Sequence, residues 1–194
     1  MPTKNAMIEV VKHVESIIEN LDDKQIDTMI SAISSAERIF IMGAGRSGLA
    51  GRAFAMRLVQ MGLTAYVVGE VVTPAVTKND LLVVVSGSGV TTSVISAAKI
   101  TRDIGAKVLA ITSYSDSMLG GLADYIVEIK GRTKIDIEKD HLKHQLEGRH
   151  STLTPLGTLF EDTVMIFFDG IIAGLMSKLG KGEDDLKRRH ATVE

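Results

Sequence analysis

Two glycine-rich loops carry much of the chemistry this sequence offers. The second reads Ser86-Gly-Ser-Gly-Val-Thr-Thr92 and follows the very apolar run Leu81 to Val85. Ser86, Ser88, Thr91 and Thr92 supply hydroxyls around one point, and Gly87 leaves the backbone open to close approach. A helix opening there adds free N–H groups and roughly half a positive charge. No lysine stands in the loop, so it is not the nucleotide pattern G-x-x-x-x-G-K-[ST]. Hydroxyls and backbone N–H groups suit a single phosphate monoester held without metal. A serine N-cap with a glycine turn is the plainer reading, but capping needs one hydroxyl and the loop has several.

The first loop, Gly43-Ala-Gly-Arg-Ser-Gly48, spells G-x-G-x-x-G between an expected strand and an expected helix. Gly45 lets a ligand approach, Arg46 adds a cation and Ser47 a hydroxyl. Glu70, near the end of the next strand, matches the ribose-binding acid of a dinucleotide site. The chain has no room, however, for the separate catalytic domain of the usual dehydrogenase. Arg46 either offsets phosphate charge, polarises a sugar oxygen, or forms a surface ion pair.

Three further groups are candidates for proton transfer. Glu161 lies among Leu159, Phe160, Val164 and Met165, a setting that suits a carboxyl group working as acid or base near neutrality. Thr158-x-x-Glu161 also fits a capping box, and a salt bridge is a third option. Asp169 falls two turns later in an apolar run and is expected to need a hydrogen-bond partner on a neighbouring helix. His190 sits in a basic tail with Lys187, Arg188 and Arg189, where composition alone favours a solvated chain. His141, His144 and His150 read as surface residues, because no firm third metal ligand accompanies them. Thr73-Pro74 fixes a turn after the second strand and is expected to shape the pocket mouth.

The elements that must position these groups follow from periodicity. Ile8, Val11, Val14, Ile18 and Leu21 predict an amphipathic helix over about residues 4 to 20. Asp22 and Asp23 stand where a cap would open a second helix. Strands are expected at 38–42, 65–68, 80–85, 107–112 and 125–129, with helices from about Leu49 to Met61 and from the second loop to about Ile104. Strand alternating with helix predicts an α/β three-layer sandwich, a five-stranded parallel sheet flanked by helices. Residues 131–151 are a charged surface excursion, and a long helix follows, with Thr154 as N-cap and Pro155 in its first turn, ending at Gly180. The expected division is an N-terminal helical segment over 1–37 packing on the domain, the domain itself over 38–180, and a C-terminal tail over 181–194.

Composition bounds the function. The 194 residues carry 22 Lys plus Arg against 24 Asp plus Glu, so no global field is available to hold nucleic acid. Aromatics at 4% leave few stacking platforms for single strands. Cysteine is absent, which excludes disulfides, thiolate metal sites and a cysteine nucleophile. The most apolar stretch, Val164 to Met176, is broken by Asp169 and falls short of the ~20 residues needed to span a bilayer. The expectation is a cytoplasmic protein that binds neither nucleic acid nor membrane.

Ser86-Gly-Ser-Gly-x-Thr91 with Gly43-x-Gly-x-Ser47 resembles the sugar isomerase (SIS) domain over roughly residues 35 to 180. Val68-Gly-Glu-x-x-Thr73-Pro74, Pro155-Leu-Gly-Thr-Leu-Phe-Glu161 and the ending Arg189-His-Ala-Thr-Val-Glu194 narrow the resemblance to the 6-phospho-3-hexuloisomerase family. The resemblance implies isomerisation of D-arabino-hex-3-ulose 6-phosphate to D-fructose 6-phosphate in the ribulose monophosphate route, without metal or redox cofactor. It implies a homotetramer. By motif position it implies that Ser86, Ser88 and Thr91 hold the phosphate, that Ser47 lines the same site, and that Glu161 is the acid/base. His190 would be a second catalytic group, from its own or a neighbouring subunit. Two rivals stand beside this reading: another aldose–ketose isomerase of the same domain family, and a sugar-phosphate sensor. Residues 1–37 are too short and too weakly basic for the DNA-binding domain such a sensor carries.

Overall fold

A computed structural model describes residues 1–131, 153–190 and 192. The apolar runs form β1 (Ile39–Gly43), β2 (Ala65–Val67), β3 (Leu81–Val85), β4 (Lys107–Thr112) and β5 (Tyr125–Glu128). They pair in parallel in the order β2-β1-β3-β4-β5. β3 is buried along its whole length, which is why its sequence is a continuous run of leucine and valine and does not alternate. The helices are α1 (Pro2–Ile18), α2 (Asp23–Ser35), α3 (Arg46–Gln60), α4 (Thr92–Ile104), α5 (Thr158–Leu179) and the short α6 (Glu183–Lys187).

Successive strand residues point to opposite faces. Ile39, Ile41, Leu81, Val83 and Val85 meet α2, α3 and α5 on one face. Phe40, Leu82, Val84, Val108 and Ala110 meet α4 on the other. The result is the expected three-layer sandwich. On the first face Phe54 of α3 stacks on Phe168 of α5, with ring centroids 4.1 Å apart and planes within 8°. Such a pair adds about 0.5–1.5 kcal/mol beyond the area it buries. At the foot of the sheet a forked ion pair ties β1 to β3: Arg38 donates from Nε (3.0 Å) and from a terminal nitrogen (2.7 Å) to the Asp80 carboxylate.

The N-terminal helices lie against this sandwich. The Asp22 carboxylate caps α2 through the Lys24 N–H, as the sequence predicts. α1 buries Val14 and reaches both sides of the excursion. His13 Nε2 lies 3.1 Å from the Lys130 carbonyl, and the Glu9 carboxylate accepts from the Leu153 N–H (3.1 Å) and the Thr154 hydroxyl (3.0 Å). The excursion's His141, His144 and His150 lie outside the described residues.

Two helix starts differ from expectation. α3 begins at Arg46, three residues early, so Arg46 and Ser47 belong to its first turn. α5 begins at Thr158, after an N-cap glycine, Gly157, whose φ is +88°. Thr154 is not its cap, because its hydroxyl is taken by Glu9, and Pro155 stands in a turn ahead of the helix. Asp169 is exposed, and among the described residues no hydrogen bond or ion pair ties it to a neighbouring helix. Eight residues at 100° each leave it about 80° around the axis from Glu161, on the solvent side. No helix among the described residues is long and apolar enough to cross a membrane.

Candidate active site

The strand order reverses between β1 and β3, and the helices leaving these strands go to opposite faces. A crevice opens at such a point above the carboxyl ends of the strands. Here it is a cleft of 330 Å³ whose lining includes Gly45, Arg46 and Ser47 from the first loop, Ser86, Gly87, Ser88 and Thr91 from the second, and Glu161 from α5. The N-termini of α3, α4 and α5 all open onto it. Among the described residues, none of their N-caps (Gly45, Thr91, Gly157) makes a side-chain capping hydrogen bond. Three helix starts without side-chain caps therefore open on one cleft, the arrangement an anion needs, although at α5 the Thr158 N–H already donates to the Pro155 carbonyl (3.2 Å).

Glycine at the first loop has two separate causes. A Cβ on Gly48 would lie 2.6 Å from the Gly43 carbonyl oxygen, and one on Gly43 would lie 2.8 Å from the Gly48 nitrogen. Those two glycines let strand and helix cross in contact. Gly45 has φ +57° and nothing within 4 Å of its Cβ position among the described residues, so its backbone is bare toward the cleft.

The second loop is braced from below. The Gly87 carbonyl accepts from the Ser113 N–H (3.0 Å) and the Thr112 hydroxyl (3.3 Å), and the Ser86 carbonyl accepts from the Gly89 N–H (3.1 Å). Ser86 is nearly buried, and its hydroxyl lies 3.4 Å from that of Thr91 across the turn. Gly87 packs under the Phe160 ring; a Cβ there would come within 2.9 Å of it. The anion loop is thus in direct contact with the residue preceding Glu161.

Glu161 is neither a helix cap nor wholly surrounded by apolar groups. Its Oε2 accepts from Arg46 Nε at 2.6 Å, and its side chain is 17% exposed. Gly157 is close beneath: a Cβ there would lie 3.0 Å from Oε1, so a side chain at this position would crowd the carboxylate. Arg46 also donates from a terminal nitrogen to Asp162 Oδ1 at 2.6 Å. The hydrogen bond to Glu161 is the main reason the Arg46 guanidinium holds its proton more tightly than usual; burial opposes it and the Asp162 charge assists.

The structure brings together Gly45, Arg46, Ser47, Ser86, Gly87, Ser88, Thr91 and Glu161. It does not bring in Thr92, which is exposed at the start of α4. Thr73 lines a groove between α3 and β2 and not the cleft mouth, its hydroxyl donating to the Val67 carbonyl at 2.6 Å. Glu70 pairs with Arg52 at 2.8 Å in the same groove. His190 does not line the cleft; it follows Arg189, whose side chain lies by the end of α3 away from the cleft. α5 leaves the cleft and runs 22 residues, about 33 Å, before the tail begins. The tail's Arg189 then packs against the Cβ position of Gly62, just past the far end of α3. Sequence reasoning missed Asp162, and it quoted Leu156, Gly157 and Phe160 only within a motif, without assigning them to the site. The adjacency of Asp162 to Glu161 was a usable signal only once Arg46 was known to face that helix.

The SIS domain family model matches residues 32–139. A 3-hexulose-6-phosphate isomerase of Bacillus subtilis is 34% identical over 194 residues, the whole of both chains. One from Mycobacterium gastri is 35% identical over 98% of this chain and 90% of its own. A crystal structure from Methanococcus jannaschii, for which a molecular function of 3-hexulose-6-phosphate isomerase was inferred, superposes with a TM-score of 0.77 at 32% identity, covering 99% of this chain and 98% of that one. Fold, phosphate-type loop and relatives agree: the chain belongs to the SIS domain family and, within it, to the sugar phosphate isomerases that include the 3-hexulose-6-phosphate isomerases.

Proposed function

We propose that the chain interconverts D-arabino-hex-3-ulose 6-phosphate and D-fructose 6-phosphate, as a cytoplasmic enzyme of the ribulose monophosphate route. The observation that carries this reading is that one cleft holds both an anion cradle and a carboxylate. Ser86, Ser88, Thr91 and the first N–H groups of α4 grip the phosphate. Glu161 removes the proton from C2, and the electron pair forms the C2–C3 double bond of an enediolate with negative charge on O3. Returning that proton to C3 while the O2 proton passes to O3 leaves the carbonyl at C2 and a hydroxyl at C3. Arg46, beside Glu161, faces the developing oxyanion.

His190 serves as the second proton carrier from a neighbouring copy, since its own cleft is out of reach. α3 presents an exposed stripe of Leu49, Met56 and Val59, with exposed Val71 and Val72 nearby. Two copies packed antiparallel about a two-fold, Leu49 of one opposite Val59 of the other, set Arg46 opposite the other copy's Gly62. That is where the tail lies. A second apolar face, Met7, Ile8, Val11 and Ile18 of α1 with Ile166 of α5, supplies the other contact of a homotetramer.

The test is a coupled assay with formaldehyde, ribulose 5-phosphate and a hexulose phosphate synthase, read as fructose 6-phosphate. Appearance of the product in proportion to added protein is expected. No product above the synthase-only control, with turnover of an aldose phosphate instead, would replace this substrate with another of the same class.

A further inference from the structure

We infer that Asp162 is a positioning residue of this site: it holds the Arg46 guanidinium against Glu161, and through Arg46 it supports the reacting carbons without contributing to phosphate binding. The inference rests on the isomerase reading above and deepens it.

The geometry divides the work between two neighbouring carboxylates. Arg46 is a long side chain, 57% exposed, so solvent alone would leave it free to sample many rotamers. Its partners among the described residues are Glu161 through Nε and Asp162 through a terminal nitrogen, both at 2.6 Å. A guanidinium is planar and rigid, so two contacts on different nitrogens fix its plane as well as its position. Glu161 and Arg46 line the cleft, while Asp162 is not among the described lining residues. Asp162 thus touches the cleft only by way of Arg46.

This placement makes chemical sense for an enediolate. During proton abstraction Glu161 becomes neutral, and its hold on Arg46 weakens at the moment charge appears on the sugar oxygen. A second carboxylate outside the cleft keeps the guanidinium in place through that step, with N–H donors left for the oxyanion. One anchor changes its charge during turnover and the other does not. The phosphate end is served by a different helix start, so Asp162 has no path to ground-state phosphate affinity except through Arg46.

The experiment compares wild type with D162A, D162N, R46A and the double variant R46A/D162A. Steady-state kinetics in the coupled assay are paired with calorimetric binding of inorganic phosphate and of 4-phospho-D-erythronohydroxamate, whose hydroxamate carbon and nitrogen take the places of C3 and C2 and so mimic the enediolate. D162A is expected to lower kcat about 10-fold, the scale of a small misplacement of a catalytic group, with KM within 2-fold. D162N, which keeps an acceptor oxygen, is expected to recover most of that loss. In the R46A background, adding D162A is expected to change kcat by less than 2-fold, because its only route has gone. Hydroxamate affinity falls with kcat, and phosphate affinity does not.

The inference is overturned if D162A keeps full kcat, if its effect multiplies with that of R46A, or if phosphate and hydroxamate affinities fall together. Should wild type fail to turn over the hexulose phosphate, the substrate reading fails. The hydroxamate-to-phosphate affinity ratio then still decides the role of Asp162: a selective loss sustains it and an equal loss or none ends it. Should D162A misfold, D162N against D162N/R46A carries the same comparison.

Discussion

Replacing Ser86 by alanine should weaken ligand binding far more than it weakens the fold. Ser86 follows a fully buried strand and is 4% exposed, which ordinarily makes a polar side chain structural. Its hydroxyl, however, meets Thr91 only at 3.4 Å, the outer limit of a useful hydrogen bond. Deleting it should cost the folded protein less than about 1 kcal/mol. Bound to a phosphate oxygen, the same hydroxyl makes a charge-assisted bond contributing about 1.5–3 kcal/mol, or roughly 10- to 150-fold in Kd. Urea unfolding with and without fructose 6-phosphate reads both quantities. At a ligand concentration of 100 times the wild-type Kd, wild type gains about 2.7 kcal/mol. A variant weakened about 30-fold gains about 0.9 kcal/mol at that concentration. Calorimetry supplies the Kd directly. If S86A binds within 2-fold of wild type, the loop is not the phosphate cradle. If it unfolds readily without ligand, the hydroxyl is a fold contact and the cradle argument loses its central residue.

Glu161→Gln keeps the side chain's shape and a hydrogen-bond acceptor for Arg46 but removes the base, so kcat should fall about 10²- to 10⁴-fold while fructose 6-phosphate binding stays within a few-fold; stopped-assay kinetics with calorimetry check it. Stability should fall in acid through Asp80. Burial opposes its ionisation, but hydrogen bonds from Arg38 and Thr77 outweigh it, so the folded carboxyl sits below the ordinary value of 3.8. A lowered folded pKa gives stability that is complete above that ordinary value and lost as pH falls through the folded one. The urea midpoint should therefore hold from neutrality to about pH 5 and drop below about pH 4, and Asp80→Asn should flatten that slope while costing about 2–3 kcal/mol at pH 7, less than a fully buried pair because Arg38 keeps some solvent. Val59→Glu, on the exposed stripe of α3, should reduce the mass seen in sedimentation and lower kcat together; an intact assembly would remove the two-fold proposed along that helix.

The sheet was legible because its code is local. Each β-run was short, apolar and closed by glycine or a polar turn, and all five strands appear within a residue or two of where periodicity placed them. α4 ends at Ile104 with Gly105 in the left-handed region, as a glycine after a helical run implies. The anion loop was legible for the same reason, since its hydroxyls, glycines and helix start are consecutive in sequence.

The carboxylate half of the site was harder to read because its geometry is set by long-range contacts. The start of α5 depends on Glu9, about 145 positions away, which takes the Thr154 hydroxyl that local rules assign to a cap. The surroundings of Glu161 depend on α3 beginning at Arg46, since a start at Leu49 would have left that arginine in the loop. Neighbouring apolar letters around Glu161 therefore described the buried side of α5 and not the side its carboxylate faces. The same distinction governs His190. Its type suits proton transfer, yet α5 carries the chain about 33 Å from the cleft before the tail begins. If that histidine acts, the acting cleft belongs to a different copy. Mixing a Glu161→Gln preparation with a His190→Ala preparation then makes a clear demand: hybrid assemblies contain some clefts with both groups intact and regain activity, whereas a histidine serving its own chain yields none.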